Sequence, residues 1–296
     1  MRNIIITGGG MVNKGAQAMT LIAVNELRRR FPDHEIYLYS PVDLENPDLD
    51  AGVYRFRFTG WYPLKFARCQ KNFLLRLVTL LRSGVELKEA EAIYRSCDAL
   101  VDISGYALGS NWSDKVCNDF LDILEFAQGF GIPVYLMPQS FGPFDFTPER
   151  QSIVRRIRQL LPGVKVIFAR EQEGYDALVN GFGLKNVRLA KDLVLTGREI
   201  DPEKVFSAKP VLDIPRTVPG SVGLIPNSMN TKLSSEEAVL DIYAGAVEKL
   251  LELGKTDIHS EPLCHGCPAL PQAEGPVPGG GGCGPAGSGA ELSGVQ

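Results

Sequence analysis

Arginine runs out early in this chain: none follows Arg216, although lysine and arginine together number 31 over 296 residues. Histidine is scarce, at 3, and His34, between Pro32-Asp33 and a strand, reads as a surface residue. No apolar run approaches the roughly 18 residues that cross a membrane. The opening Met1-Arg2-Asn3-Ile4-Ile5-Ile6 is too short an apolar stretch for a signal peptide and runs straight into glycines, so a cytoplasmic protein is expected. Basic excess is missing too: a net charge of -4 argues against nucleic acid as a partner. Cys69, Cys97 and Cys117 show no metal or disulfide spacing and read as small hydrophobes in a reducing compartment.

What is present is the pattern of an ordinary globular α/β protein, with 44% hydrophobic and 22% charged residues. Short β-branched runs alternate with helical periodicity: strands at Asn3 to Thr7, Glu35 to Tyr39, Ala99 to Ile103, Val134 to Met137, Val164 to Phe168 and Val187 to Ala190. Helices are expected between them: Ala16 to Arg30, Leu87 to Arg95, Ser113 to Phe130, Thr147 to Leu161 and Glu171 to Val179. This alternation predicts a doubly wound parallel sheet, Rossmann-like, over residues 1–200. A proline-rich linker spans 201–220, and 221–255 begins a second, incomplete Rossmann-like domain with a strand at Ser221 to Ile225 and a helix from Ser234 or Ser235 to Leu253. From Thr256 to Gln296 there are 10 Gly and 6 Pro, a composition that predicts a disordered tail over 256–296.

The strongest site signal is Ile132 to Phe144. A buried strand breaks at Pro138, and Gly142-Pro143 holds the loop after it, which delivers Gln139 and Ser140 to the carboxyl edge of the sheet. Open α/β sheets bind ligands at that edge. Arg170, just past the strand Val164 to Phe168, lies at the same edge and can grip a carboxylate or phosphate with two hydrogen bonds; a salt bridge to a helix carboxylate such as Glu173 is the structural alternative. Asp102 and Asp192 end strands and could transfer protons, orient sugar hydroxyls or cap neighbouring turns. The glycines at 8–10 lack the third glycine of a dinucleotide fingerprint, and Lys14 is followed by Gly15 rather than Ser or Thr, so no nucleotide cofactor is expected. Asn13, Lys14, Gly15 and Gln17 still precede a helix whose free N–H groups favour an anion or sugar hydroxyls.

Several of these fragments agree, in order and spacing, with one family. Asn13-Lys14-Gly15-Ala16-Gln17-Ala18, Asp102-Ile103-Ser104-Gly105, Pro138-Gln139-Ser140-Phe141-Gly142-Pro143-Phe144, Ala169-Arg170-Glu171 and Lys191-Asp192-Leu193 resemble the polysaccharide pyruvyl transferases over about residues 3 to 254. The resemblance implies two facing Rossmann-type domains, as in glycosyltransferases of the B type. It also implies transfer of the pyruvyl unit of phosphoenolpyruvate to two hydroxyls of a saccharide or lipid-linked saccharide as a ketal. Such a donor needs fixed cations and N–H groups, and its methylene carbon needs a general acid. On this basis Asp102 and Asp192 are the catalytic candidates, and Asn13, Lys14, Gly15, Gln17, Ser104, Gly105, Gln139, Ser140 and Arg170 the substrate-binding ones. The family's second-domain Arg-Leu-His occurs nowhere in the sequence, so impaired transfer is expected. A sugar-nucleotide glycosyltransferase and a catalytically dead binding protein are the rival readings.

Two further stretches carry weaker signals. His259, Cys264, His265, Cys267 and Cys283 include a Cys-x-x-Cys, but with no second pair and no scaffold a metal is not expected. Aromatic and basic residues interleave from Trp61 to Arg82, which suits either a helix packed on the sheet or peripheral membrane contact.

Overall fold

The computed structural model describes residues 2–60, 74, 77, 78, 88–196, 199–208, 219–225, 234–255 and 258–260. The chain forms two compact units, Met1–Ile214 and Pro215–Gln296. Most of the Trp61 to Arg82 stretch, the centre of the linker and the cysteine-bearing tail lie outside the described residues. No helix among the described residues is long and apolar enough to cross a membrane.

The first unit is a parallel sheet in the order β3-β2-β1-β4-β6-β7-β8. The strands are β1 (Arg2–Thr7), β2 (His34–Tyr39), β3 (Arg57–Thr59), β4 (Cys97–Asp102), β6 (Val134–Phe141), β7 (Val166–Ala169) and β8 (Val187–Leu189). A short β5 (Tyr106–Leu108) pairs with the far end of β6. Its helices include α1 (Lys14–Arg30), α2 (Asp114–Gly129), α3 (Gln151–Leu160) and α4 (Gln172–Asp176), with a further helical stretch at 88–95 and single turns at Pro41–Leu44 and Pro202–Val205. The direction of chain travel reverses between β1 and β4, which makes that junction the switch point of the sheet.

Alternation along β1 explains the two cores. Ile5 joins Leu100, Leu136 and Ile167 beneath Phe120, Leu121 and Leu124 of α2 and Ile153 and Ile157 of α3. Ile4 and Ile6 point the other way and join Ile36, Leu38 and Val101 beneath Ile22, Ala23 and Val24 of α1. The two long helices begin where the sequence supplies a cap: Asn13 accepts from the Ala16 N–H at 3.0 Å, and Ser113 from the Val116 N–H at 3.4 Å.

The structure corrects the expected elements in four places. β6 does not break at Pro138 but continues to Phe141; its pairing with β7 shifts register between Leu136 and Gln139, where a residue without an N–H is tolerated. Nor is β6 buried on both faces. Tyr135 is 36% exposed because α2 and α3 cover only the opposite face. The uncovered side forms an apolar trough of about 790 Å³ floored by Tyr135, Met137, Val166 and Phe168 and walled by Ile22 and Leu27 of α1. The stretch Asp43 to Tyr62, whose richness in turn residues predicts irregular structure, contributes β3 as an edge strand. The helix expected over Glu171 to Val179 divides into α4 and a π-helical turn at Ala177–Gly181.

The second unit contains β9 (Val222–Leu224), α5 (Glu236–Glu252) and β10 (Ile258–Ser260), with β10 parallel to β9. Ser235 caps α5 by accepting from the Ala238 N–H at 3.2 Å. A strand, Ile258–Ser260, therefore follows the helix.

Candidate active site

Because neighbouring strands are parallel, their carboxyl ends share one edge: Thr7 registers with Asp102, Gln139 with Ala169, and Ala169 with Leu189. Two clusters of polar side chains stand there.

The first is buried. Asp102 is 1% exposed, and its carboxylate receives four donors. Oδ1 accepts from the Ser104 N–H at 3.1 Å and from Gln139 Nε2 at 3.2 Å; Oδ2 accepts from the Thr7 hydroxyl at 2.8 Å and the Ser104 hydroxyl at 2.9 Å. Burial raises the Asp102 pKa above the ordinary carboxylate value, while these donors pull the other way. Gln139 is wholly buried too, and its Oε1 has no hydrogen-bond partner among the described residues. The group knots β1, β4 and β6 together at their ends.

The second cluster reaches solvent. Arg170 Nε donates to Ser140 Oγ and to Glu171 Oε1, both at 2.8 Å, and Nη1 donates to Asp192 Oδ2 at 2.7 Å. The Ser140 hydroxyl donates to the same Glu171 Oε1 at 2.8 Å. The other Asp192 oxygen caps the following turn through the Val194 N–H at 2.9 Å. Backbone pairing fixes the arrangement, since the Arg170 N–H donates to the Gln139 carbonyl at 3.1 Å.

Ser140, Arg170 and Asp192 are thus brought together, and Asp102, Ser104 and Gln139 form the adjoining knot. The anticipated partner Glu173 is not used; Glu171 and Asp192 bind the guanidinium instead. Gly105 follows the knot with φ +71. Asn13, Lys14 and Gly15 are exposed and Gln17 half-buried at the start of α1, and no hydrogen bond among the described residues joins them to either cluster.

The glycine turn after β1 is a packing device. Gly8 has φ +73, and a Cβ there would stand 2.1 Å from Ser104 Oγ, so the turns after β1 and β4 touch at the switch point. Its N–H groups are also engaged: Gly10 donates to Thr20 Oγ1 at 3.1 Å, and Met11 to both oxygens of Asp43, at 2.9 and 3.1 Å. Glu171 and Asp43 were not singled out from sequence. Glu171 stood in a quoted motif beside Arg170, while Asp43 lay in a turn-rich segment where a buried carboxylate leaves no pattern. No group of three or more His, Cys, Asp or Glu among the described residues is arranged to hold a metal ion.

These features define a Rossmann-like α/β protein with a mostly parallel sheet and its polar groups gathered at the carboxyl edge. Residues 13–262 match the family model of the polysaccharide pyruvyl transferases, and the chain belongs to that family. Among solved structures, one similar chain is Medicago truncatula UGT71G1 complexed with UDP-glucose, at 13% identity and a TM-score of 0.34; the match covers 65% of this chain. It spans about half of that protein, 52%. No curated protein matches.

Proposed function

We propose that the chain binds phosphoenolpyruvate through Arg170 and belongs to a reaction that transfers the pyruvyl unit to hydroxyls of a saccharide or lipid-linked saccharide as a ketal. The observation that carries this reading is the position of Arg170. It is a partly exposed guanidinium at the carboxyl edge, braced by Ser140 and Asp192 on a family-matched scaffold. A braced guanidinium is pre-organised for a carboxylate or phosphate. Asp192 orients it, and the Asn13 to Gln17 turn lies at the start of α1, where acceptor hydroxyls can be met. In this reading Asp102 works as a positioning residue, because a carboxylate with four donors and no solvent contact holds the turns around it.

Calorimetric titration with phosphoenolpyruvate tests this. Wild type is expected to bind, whereas Arg170→Met lowers the affinity by about 100-fold, the loss of a bidentate charged contact. Arg170→Lys recovers only part of that loss, since an ammonium cannot reproduce the planar fork. Binding of a nucleotide sugar with no response to phosphoenolpyruvate would favour the glycosyltransferase reading instead. The sequence has no Arg-Leu-His, so phosphate release in the presence of acceptor is expected to be slow relative to donor binding.

A further inference from the structure

The charge around Arg170 does not suit a multiply charged anion as it stands. One guanidinium is hydrogen-bonded to two carboxylates, Glu171 and Asp192, so the three groups sum to a net negative charge. A ligand carboxylate or phosphate that reaches Arg170 meets both acids at close range, and like charges in one site disfavour joint ionisation. The two acids are not equivalent. Asp192 is fixed on both oxygens, by Arg170 and by the Val194 N–H, and its side chain is 21% exposed. Glu171 is 42% exposed, and among the described residues its contacts, with Arg170 and Ser140, fall on Oε1. It is the acid with an oxygen left over.

Resting on the donor assignment above, we propose that binding of the enol phosphate is coupled to uptake of a proton by Glu171, and that Glu171 is the general acid for the donor's methylene carbon. Other titratable or charged groups on the elements that meet here include Asp102 on β4, Tyr106 on β5, Glu173, Tyr175 and Asp176 on α4, Arg188 on β8 and Lys191 after it. Asp102 is sealed in its knot, and the Tyr106 hydroxyl donates to the Gly142 carbonyl at 2.7 Å. Neither competes for the role.

The step balances. The C2=C3 electron pair of phosphoenolpyruvate forms a C–H bond with the Glu171 proton, leaving a methyl group at C3 and a cationic centre at C2. A lone pair of the acceptor hydroxyl forms the C2–O bond, and the hydroxyl proton returns to the Glu171 carboxylate. Glu171 is restored, and phosphate is still attached to C2 for the later displacement by the second hydroxyl.

The test is calorimetry of phosphoenolpyruvate binding to the full chain near pH 7 in two buffers of different ionisation heat. Wild type is expected to take up about one proton per donor bound. Glu171→Gln, which imitates the neutral acid, takes up none and binds the donor as tightly or up to about tenfold more tightly. Glu173→Gln serves as a control and keeps the wild-type uptake. Donor binding without proton uptake in wild type overturns this inference and leaves the Arg170 assignment standing. Glu171→Gln binding more than about tenfold weaker also overturns it, because the carboxylate would then be an attractive contact. No donor binding by wild type overturns both. The wild-type measurement needs no variant to fold.

Discussion

The two ends of β4 carry the same residue in opposite circumstances. Asp98, near the amino end, is 32% exposed and accepts from Arg2 and from His34, the latter at 2.9 Å; the Arg2 hydrogen bond is the main cause that holds its pKa below the ordinary value. Asp102, at the carboxyl end, is buried among neutral donors, and loss of solvent raises its pKa. At Asp102 burial outweighs four hydrogen bonds from uncharged groups, whereas at the more exposed Asp98 the contacts to Arg2 and His34 outweigh it. The comparison separates two uses of a carboxylate in one strand. At the amino end it tacks β1 and β2 to β4, where either could fray at modest cost. At the carboxyl end it sets the turns that place Ser140 and Arg170.

The largest expected effect comes from disturbing the tight end. Gly8→Ala places a Cβ 2.1 Å from Ser104 Oγ and 2.5 Å from Ser104 Cα, at a φ of +73. Left-handed strain of about 1–2 kcal/mol and overpacking of about 1–3 kcal/mol predict a loss of about 3 kcal/mol, read as a shift of the urea midpoint. Ser104→Gly should not rescue it, because the backbone N of Ser104 would still lie at 2.6 Å. Full rescue would mean the two turns are looser than the contact implies.

Asp102→Asn ranks next. An amide N–H₂ must stand either against the Ser104 N–H and Gln139 Nε2, both donors, or against the Thr7 and Ser104 hydroxyls, which must then turn to accept and give up donating, and the cost is about 2 kcal/mol. Its pH dependence sharpens the comparison. A carboxyl whose folded pKa is raised gives stability that is whole below the unfolded value of about 3.9 and is lost as pH rises through the folded value. The stability of wild type minus that of Asp102→Asn should therefore decline as pH climbs from about 4. A difference that grows with pH would show that the four donors outweigh burial.

The sequence carried the sheet well and the site unevenly, for physical reasons that differ by residue. β1, β4 and β7 announce themselves because Ile4 to Ile6, Leu100 to Val101 and Ile167 are buried β-branched or apolar runs. β3 and β5 are three-residue strands held by neighbours rather than by their own pattern, so periodicity could not reveal them. Pro138 misled because a strand residue without an N–H is excluded only where the ladder is regular, and β6 is irregular there. Arg170 was legible from its place after a strand. Its partners were not, since whether a guanidinium turns to Glu171, Glu173 or Asp192 depends on side-chain direction across two strands. The depth of Gln139 was hidden for a similar reason: the motif located the residue, while the burial that commits its amide to Asp102 comes from β4 and β6 lying side by side.

The smallest expected effect belongs to the loose end. Asp98→Asn removes a surface-type ion pair with Arg2 and weakens the contact to His34, so at neutral pH the loss is below about 1 kcal/mol. The sign of its pH dependence is opposite to that of Asp102. A carboxyl whose folded pKa is lowered gives stability that is present above the unfolded value of about 3.9 and disappears as pH falls through the folded value. Wild type minus Asp98→Asn should be flat above about pH 5 and shrink below about 4, and salt should flatten it further by screening Arg2. If acid titration instead moved both aspartate variants in the same direction, position along the strand would not decide how a carboxylate is used. The contrast between anchoring the site and tacking the far edge would then collapse.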